Sequence, residues 1–302
     1  MLEIASELVG RKTWPYLQAR VSLREQGSAE WPVTLFASDS PATIQEVASG
    51  TVQIAIVNPS MILKLAALGS PPFTEPLPLR SIAVLPASDQ VVFAVTQDTG
   101  LISLAELRER RFPLKVSLRA QPDHSLHLII DHVLAAAGFS LDEIRSWGGE
   151  VRYDAGMPYG ANRIGAVQRG EIDAIFDEGV SAWGNMALEL GMRFLALDEN
   201  ILQRLEAVGL RRATIARKNF PKLDTDVPTL DFSGWPLYTH KDVPDSLITD
   251  FCSALEVRKD RIPWAKEGPL PLEQMVRDSP EGHLEVPLHS AAERFWRERG
   301  YL

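Results

Sequence analysis

The sequence predicts an α/β protein built as two lobes of similar design. The first indication is the stretch Val33–Ser60, where a β-rich run, a short helix and a buried apolar run follow one another. Such a βαβ crossover makes its two strands parallel, so both strands end at the same edge of the sheet. The second indication is a repeat of this pattern, and the third is the length of 302 residues, which suits two domains of ordinary size.

Within the first crossover, Val33–Ala37 reads as a strand, Gly50 ends the helix, and Val52–Val57 reads as a buried strand. Small polar side chains at the carboxyl ends of parallel strands are where open α/β sheets bind ligands. The same residue types also cap helices and form turns, so both interpretations stay open. The side chains in question are Ser38, Asp39, Ser40, Asn58 and Ser60.

The repeat lies in the second half of the chain. Val47–Ile56 is echoed by Val167–Phe176, with a helix end, a glycine, a polar residue and a buried strand in the same order. Ten residues of such common types can also match by chance, but an internal repeat favours two similar lobes.

Composition and charge exclude several classes of protein. The net charge is −9 and no run of like charges stands out, so nothing indicates nucleic acid or an anionic membrane as a partner. The single cysteine, Cys252, rules out an internal disulfide and a cluster of thiolate metal ligands. Its apolar neighbours favour a buried structural role. We expect no cofactor.

Two further candidates precede the first crossover. The loop Gly10–Thr13 follows a predicted first strand and contains Arg11 and Thr13. A cation and a hydroxyl at a helix start can engage a carboxylate or phosphate. A solvated loop is the simpler alternative.

A second strand-to-helix junction follows the predicted strand Leu114–Leu118. The helix that begins there is predicted to have Asp123 as its N-cap and to end at Gly138. A helix N-terminus favours an anion. The candidate ligand-binding residues at this junction are Arg119, His124 and Ser125.

A catalytic or metal role for this junction is weakly indicated. Consecutive residues at a helix start point in different directions, so Asp123, His124 and Ser125 do not form a proton relay by themselves. His124, His127 and Asp131 share a helix face, but a hydrated face is the simpler interpretation, and we predict no metal site.

A third junction leads into the repeated crossover. Tyr159, Asn162 and Arg163 lie at the start of a predicted helix, and Asp177 follows the predicted strand Ile172–Phe176. The acidic side chain either orients a ligand amine or hydroxyl, or pairs with Arg163.

The order of elements predicts that the second lobe is inserted into the first. The chain returns to its first lobe with the segments that follow Ile201. The predicted limits are 1–85 and 200–302 for lobe 1, and 86–199 for lobe 2.

The order of elements resembles the type II periplasmic solute-binding proteins, and within them the TAXI family, the receptors of tripartite ATP-independent periplasmic (TRAP) transporters. The segments that carry this resemblance are IQEVASGTVQIAIV, AVQRGEIDAIFDEG and the C-terminal PLHSAAERFWRERG. The resemblance implies a two-lobed clamp, each lobe a mixed sheet flanked by helices, that closes by a hinge over a ligand in the cleft between the lobes.

On this basis we predict a solute-binding protein for a small anionic or carboxylate-bearing molecule, with TRAP membrane subunits as partners. Arg119 is the predicted carboxylate contact, because a guanidinium binds a carboxylate through two parallel hydrogen bonds. The predicted ligand-binding residues are Arg11, Thr13, Ser38, Ser40 and Asn58 in the first lobe, and Arg119, His124, Ser125, Tyr159, Asn162 and Asp177 in the second.

An alternative function belongs to a different class. The same fold hosts enzymes, and a cytoplasmic member would use His124 or His127 as acid, base or metal ligand, as in a decarboxylase or a cofactor-biosynthetic enzyme. A ligand-sensing module would reuse the same clamp. No signal peptide follows Met1, so the protein is predicted to be cytoplasmic if Met1 is the true start and periplasmic if the start is trimmed or misassigned.

Overall fold

The strands predicted at Val33–Ala37, Val52–Val57, Leu114–Leu118 and Ile172–Phe176 are present in the structure. The computed structural model describes Ile4 and residues 18–30, 32–38, 40–262 and 271–302. Arg11, Thr13 and Asp39 therefore lie outside the described residues. The strands are β1 (Ala19–Leu23), β2 (Val33–Ala37), β3 (Ile54–Ile56), β4 (Leu79–Leu85), β5 (Val92–Thr96), β6 (Lys115–Arg119), β7 (Glu150–Asp154), β8 (Ala174–Asp177), β9 (Met192–Phe194), β10 (Arg212–Ile215), β11 (Val227–Leu230) and β12 (Trp235–His240).

The helices alternate with these strands. They are α1 (Ala42–Ala48), α2 (Met61–Leu68), α3 (Leu104–Glu109), α4 (Ser125–Ala137), α5 (Leu141–Ser146), α6 (Ile164–Gln168), α7 (Val180–Glu189), α8 (Glu199–Ala207), α9 (Asp245–Arg258), α10 (Glu273–Val276) and α11 (Ser290–Glu298). In the part of the chain that the structure describes, no helix combines the length and apolar character needed to cross a membrane.

The chain divides into two compact units. Unit 1 comprises 1–88 and 233–302, and unit 2 comprises 89–232. The predicted return to the first lobe lies at residue 200, whereas unit 2 extends to Phe232. The reason lies in long-range bonds: the N–H of Leu197 donates to Pro228 O at 2.9 Å, and the N–H of Val91 donates to Leu230 O at 3.0 Å. These bonds attach the segment 200–232 to unit 2, and the sequence pattern does not show them.

In unit 1 the described strands form a sheet of order β1-β2-β3-β12-β4. β2 and β3 are parallel, with Ala37 opposite Ile56, as the crossover predicts. β12 runs antiparallel to both of its neighbours, and β1 is antiparallel to β2. The core on one side of this sheet includes Ile82, Ile248 and Trp296.

In unit 2 the described strands form a sheet of order β7-β6-β8-β5-β9. β6 is parallel to β7 and to β8, and β5 is antiparallel to β8 and β9. Helices pack on this sheet, so the prediction of two α/β lobes, each with a mixed sheet and flanking helices, is confirmed. A separate pair of strands, β10 and β11, is antiparallel.

The internal repeat predicted from the sequence is a structural repeat. Gly50 and Gly170 both have positive φ, +79° and +70°, the left-handed region that glycine tolerates best. Three positions after each glycine, a polar side chain binds the neighbouring parallel strand. Gln53 accepts from the N–H of Thr34 through Oε1 at 2.7 Å, and Asp173 accepts from the N–H of Lys115 through Oδ2 at 3.1 Å.

Helix α4 shows how sequence periodicity fixes orientation. Its buried residues recur three and four positions apart, which places them on one face. Gly138, with φ +86°, ends the helix as predicted. The predicted N-cap, Asp123, is wrong by one residue: His124 is the cap, and its Nδ1 accepts from the N–H of Leu126 at 3.1 Å. Asx and Ser residues usually fill this position, which explains the error.

Candidate functional site

The carboxyl edge of the unit 2 sheet collects charged residues from several strands. The parallel strands β6, β7 and β8 end at Arg119, Asp154 and Asp177. Asp89 lies at the same edge, because it precedes β5, which is antiparallel to β8 with Val92 opposite Asp177. Strands far apart in sequence therefore bring one arginine and three carboxyl groups together.

Asp177 lies at the centre of this cluster and joins two arginines. Its Oδ1 accepts from NH2 of Arg119 at 2.7 Å, and its Oδ2 forms an ion pair with NH1 of Arg163. The Asp177 and Arg163 side chains have no exposed surface. Burial disfavours the ionised carboxyl, but the two guanidinium groups outweigh it, so the pKa of Asp177 is lowered and the group stays charged.

Arg163, the residue that precedes α6, is held on all sides by neighbouring elements. Its Nε donates to Ser117 Oγ at 3.1 Å, and its NH2 donates to Ser117 O at 3.2 Å. The Ser117 hydroxyl donates in turn to Asp154 Oδ2 at 2.7 Å, and Asp154 accepts from NH2 of Arg152 at 3.1 Å. Of the alternatives left open for Asp177, pairing with Arg163 is thus observed.

Arg119 lies at the outer side of the cluster. Besides Asp177, its NH2 pairs with Glu178. Its NH1 lies 3.2 Å from Nε2 of His124. The Arg119 side chain is 17% exposed and that of Glu178 is 13% exposed, so both reach solvent while Asp177 does not.

The buried ring of His124 has a defined hydrogen-bonding pattern. Nδ1 accepts the backbone N–H of Leu126, and Nε2 lies within hydrogen-bonding distance of NH1 of Arg119. Burial, followed by the nearby Arg119 charge, lowers the pKa of His124 to about 3. The ring is therefore neutral at physiological pH.

Asp89 anchors the start of helix α7. Its two carboxyl oxygens accept from the N–H of Gly179 at 2.8 and 2.9 Å, and Oδ1 accepts from the N–H of Gln90 at 2.7 Å. Burial, and then the neighbouring Glu178 carboxyl, raise the pKa of Asp89 well above its usual range. The Asp89 carboxyl binds a proton more readily than an exposed aspartate as a result.

The remaining unit 2 candidates differ in exposure. Tyr159 is 46% exposed, and the exposed Asn162 donates through Nδ2 to Ala155 O at 3.2 Å. Both follow β7 at the carboxyl edge of the sheet. Ser125 is fully buried as the first residue of α4.

In unit 1, the candidate side chains at the carboxyl ends of β2 and β3 are buried and hydrogen-bonded. Ser38 Oγ accepts from the N–H of Ser40 at 3.0 Å, and Ser40 Oγ accepts from the N–H of Ala42 at 3.2 Å, as in turns and helix starts. Asn58 donates through Nδ2 to Gly234 O at 3.0 Å, a bond to a residue far away in sequence. A ligand role for the three residues stays a prediction.

A cavity of about 480 Å³ lies elsewhere in unit 1. It opens at the amino ends of β2 and β3, next to Val33 and Gln53. Its carboxylate-bearing lining residues are Glu25, Asp242 and Asp250. No lysine or arginine is among its lining residues in the described ranges. This cavity does not suit an anion, and it contains none of the described candidate residues.

The two histidines of the enzymatic alternative, His124 and His127, both bond to nearby backbone groups. Within the residues that the structure describes, no group of three His, Cys, Asp or Glu side chains is arranged to hold a metal ion. His127 instead bonds through Nε2 with Gln121 O at 2.8 Å. A general base works best with a pKa near the working pH, and the pKa of His124 lies far below it.

Sequence reasoning missed several members of the cluster, above all Ser117, Asp154, Asp89 and Glu178. Ser117 lies inside a buried strand, and such residues resemble core positions. Asp89 precedes β5, and its partner Gly179 is 90 residues away, so the sequence does not show that the two residues bond.

The chain belongs to the NMT1-like family, whose model matches residues 32–300. The family match does not test membership of the TAXI family, which stays a prediction. No curated protein matches the chain.

Several solved structures are similar to parts of the chain at low identity. The alkanesulfonate-binding protein SsuA from Xanthomonas axonopodis pv. citri, bound to MOPS, is 14% identical with a TM-score of 0.32; the alignment covers 72% of this chain and 61% of that one, less than two thirds. A TctC solute-binding protein from Polaromonas is 17% identical with a TM-score of 0.38, covering 70% and 66%. The glycine/betaine/L-proline-binding protein ProX from Borrelia burgdorferi is 11% identical with a TM-score of 0.37, covering 70% and 67%. Likenesses at these scores say nothing about the ligand of this chain.

Proposed function

We propose that this protein binds a small solute that bears a carboxylate or a similar anion, as the receptor of a transport system. The observation that carries the proposal is the Arg119 guanidinium, which Asp177 and Glu178 hold at the carboxyl edge of the unit 2 sheet with NH1 beside His124. Ligands of open α/β sheets bind at this edge. Membership of the NMT1-like family and the two α/β units are consistent with the proposal.

Directed hydrogen bonds, more than net charge, would provide the affinity. Arg119 and Arg163 are balanced by Asp177 and Glu178, so the cluster carries little excess charge. The guanidinium of Arg119 is a hydrogen-bond donor only, and an acceptor oxygen of the solute can bind it directly. We therefore expect the affinity to change only weakly with ionic strength, in contrast to sites that rely on long-range attraction.

Membership of the TAXI family, the location, the membrane partner and hinge closure are part of the same proposal. A TAXI-type receptor would be periplasmic, would hand its solute to TRAP membrane subunits, and would close on it by a hinge. The resemblance supports these features. Small-angle scattering with and without solute would test closure, and co-purification with TRAP membrane subunits would test the partner.

The first experiment is native mass spectrometry of protein purified without added ligand, followed by thermal-shift titration with any acid retained. An acid that binds the native state raises the melting temperature with its concentration. Arg119→Lys should weaken the shift, because lysine replaces a planar fork by a single point charge. Arg212→Lys, which changes an exposed pair in the same unit, should leave it unchanged.

Two results would overturn the proposal. One is the absence of any retained acid together with the absence of a thermal shift across a panel of mono- and dicarboxylates. The other is a retained compound that is consumed during incubation, which would favour the enzymatic alternative.

A further inference from the structure

The buried carboxyl of Asp177 and the buried guanidinium of Arg163 have a different role from the exposed groups beside them. We infer that Asp177 and Arg163 are positioning residues, which fix the direction of the Arg119 guanidinium without touching the solute. This inference rests on the proposed function. It changes the role predicted for Asp177 from a ligand contact to a support.

The first argument is accessibility. The side chains of Asp177 and Arg163 are 0% exposed, whereas Arg119 is 17% exposed. A solute that reaches Arg119 thus meets the guanidinium and not the carboxylate behind it. Both oxygens of Asp177 are already used, because Oδ1 accepts from Arg119 and from the N–H of Glu178 at 2.8 Å, and Oδ2 pairs with Arg163.

The second argument is the rigidity of the support. The Arg163 guanidinium has a separate acceptor for each of its three nitrogens: Ser117 Oγ, Ser117 O and Asp177 Oδ2. A planar group held at three points does not rotate without breaking a buried hydrogen bond. Arg163 therefore fixes the rotamer of the Asp177 carboxylate, and strand β6 fixes Arg163 through Ser117.

The third argument is the effect on Arg119. Its NH2 is held by Asp177 and Glu178, and the guanidinium is planar, so the direction of NH1 follows from these two contacts. NH1 then lies 3.2 Å from Nε2 of His124. If the Asp177 carboxylate could rotate, the direction of NH1 would no longer be fixed, and preorganisation would be lost.

Arg163→Lys tests the inference, because it keeps the charge that Asp177 needs and removes the three-point hold. Arg212→Lys is the matched control, since that arginine also uses all three of its guanidinium nitrogens, in bonds to Glu199 and Glu206, but lies on the surface of unit 2. If Arg163→Lys does not fold, Ser117→Ala is the milder second variant, which removes one acceptor of Arg163 and no charge.

Succinate and its neutral analogue succinamide serve as probes in calorimetric titrations. We expect Arg163→Lys to weaken succinate binding about tenfold and to leave succinamide binding nearly unchanged. Tenfold is the lower end of the loss that follows removal of a residue that orients a metal ligand, and Arg163 would orient Arg119 in a comparable way. The ratio of the two affinities is the decisive readout, because a merely destabilised site loses both in parallel. A parallel loss, or affinities equal to those of the wild type, would overturn the inference.

A ligand-free measurement separates this inference from the proposed function. In ¹⁵N spectra of arginine side chains, the wild-type Arg119 Nε–Hε signal should show restricted rotation of its guanidinium, and Arg163→Lys should release it. If wild-type protein binds no carboxylate, the proposed function fails, and the inferred role in solute binding fails with it. If the protein binds succinate but the Arg119 signal is the same in both variants, only the positioning role fails.

Discussion

The neutral, buried ring of His124 should make the stability of the folded protein fall in acid. One substitution should remove this part of the pH dependence. In the folded chain the pKa of His124 is lowered to about 3 by burial and by Arg119, and in the unfolded chain it is about 6.5. The unfolded state thus binds a proton below about pH 6.5 that the folded state does not bind until about pH 3. Stability is unaffected above the unfolded pKa and falls as the pH drops between these two values.

The size of the effect follows from the pKa difference. Each unit of pKa shift corresponds to about 1.4 kcal/mol, so at pH 5.0 the free energy of unfolding should be lower by about 2 kcal/mol than at pH 7.5 from this group alone. His124→Asn should abolish this part of the pH dependence. Asparagine is among the best N-caps, so it replaces the Nδ1 acceptor for the N–H of Leu126 while it does not titrate.

The assay is urea unfolding of wild type and His124→Asn at pH 7.5 and 5.0. Other titrating groups contribute equally to both proteins, and His124 carries no charge in this range that would perturb them, so the difference between the two pH dependences isolates the ring. His132→Asn, on the same helix, controls for the replacement of a histidine by an asparagine. Equal pH dependences for wild type and His124→Asn would refute the reasoning.

Three further predictions concern packing and burial. Gly184→Val should destabilise unit 2 by about 1–3 kcal/mol in urea unfolding, because a Cβ there would lie 2.7 Å from the Phe220 ring; wild-type stability would contradict this. Tyr238→Phe should cost about 1 kcal/mol, since it removes a buried 2.7 Å bond to the Thr43 hydroxyl, and a neutral result would show that the bond contributes nothing. Cys252 should resist iodoacetamide in the native protein at pH 8, because burial raises the pKa of its thiol to about 12; rapid labelling measured by mass spectrometry would contradict this.

The regular elements were largely predictable because their signals are local. Strand β2 occupies Val33–Ala37, as predicted, and the glycines that end α1 and α4 stand where a left-handed residue was expected. The repeat was predictable for the same reason, since Gly50 and Gly170 each impose the same turn before a buried strand. Local pattern and backbone preference agree at these positions.

The limit of unit 2 and the roles within the cluster were not predictable in this way. Both depend on bonds between residues far apart in sequence, such as Val91 with Leu230 or Arg119 with Asp177. A sequence shows that an acidic residue follows a buried strand. It does not show whether the carboxylate turns toward solvent or toward a cation contributed by another element.

Asp177 illustrates what decides between those two orientations. A carboxylate without a partner would be costly to bury, and desolvation alone would raise its pKa. Two guanidinium groups reverse that balance and lower it, so a charged Asp177 with no exposed surface is stable only where Arg119 and Arg163 both reach it. The Arg163 charge can likewise be buried because Asp177 pairs with it. Asp177 and Arg163 therefore act as one unit, whose function is to hold Arg119. An arginine that contacts the ligand and an arginine that only supports it can therefore lie close together in one site. The arrangement of the cations around the shared carboxylate distinguishes the two roles.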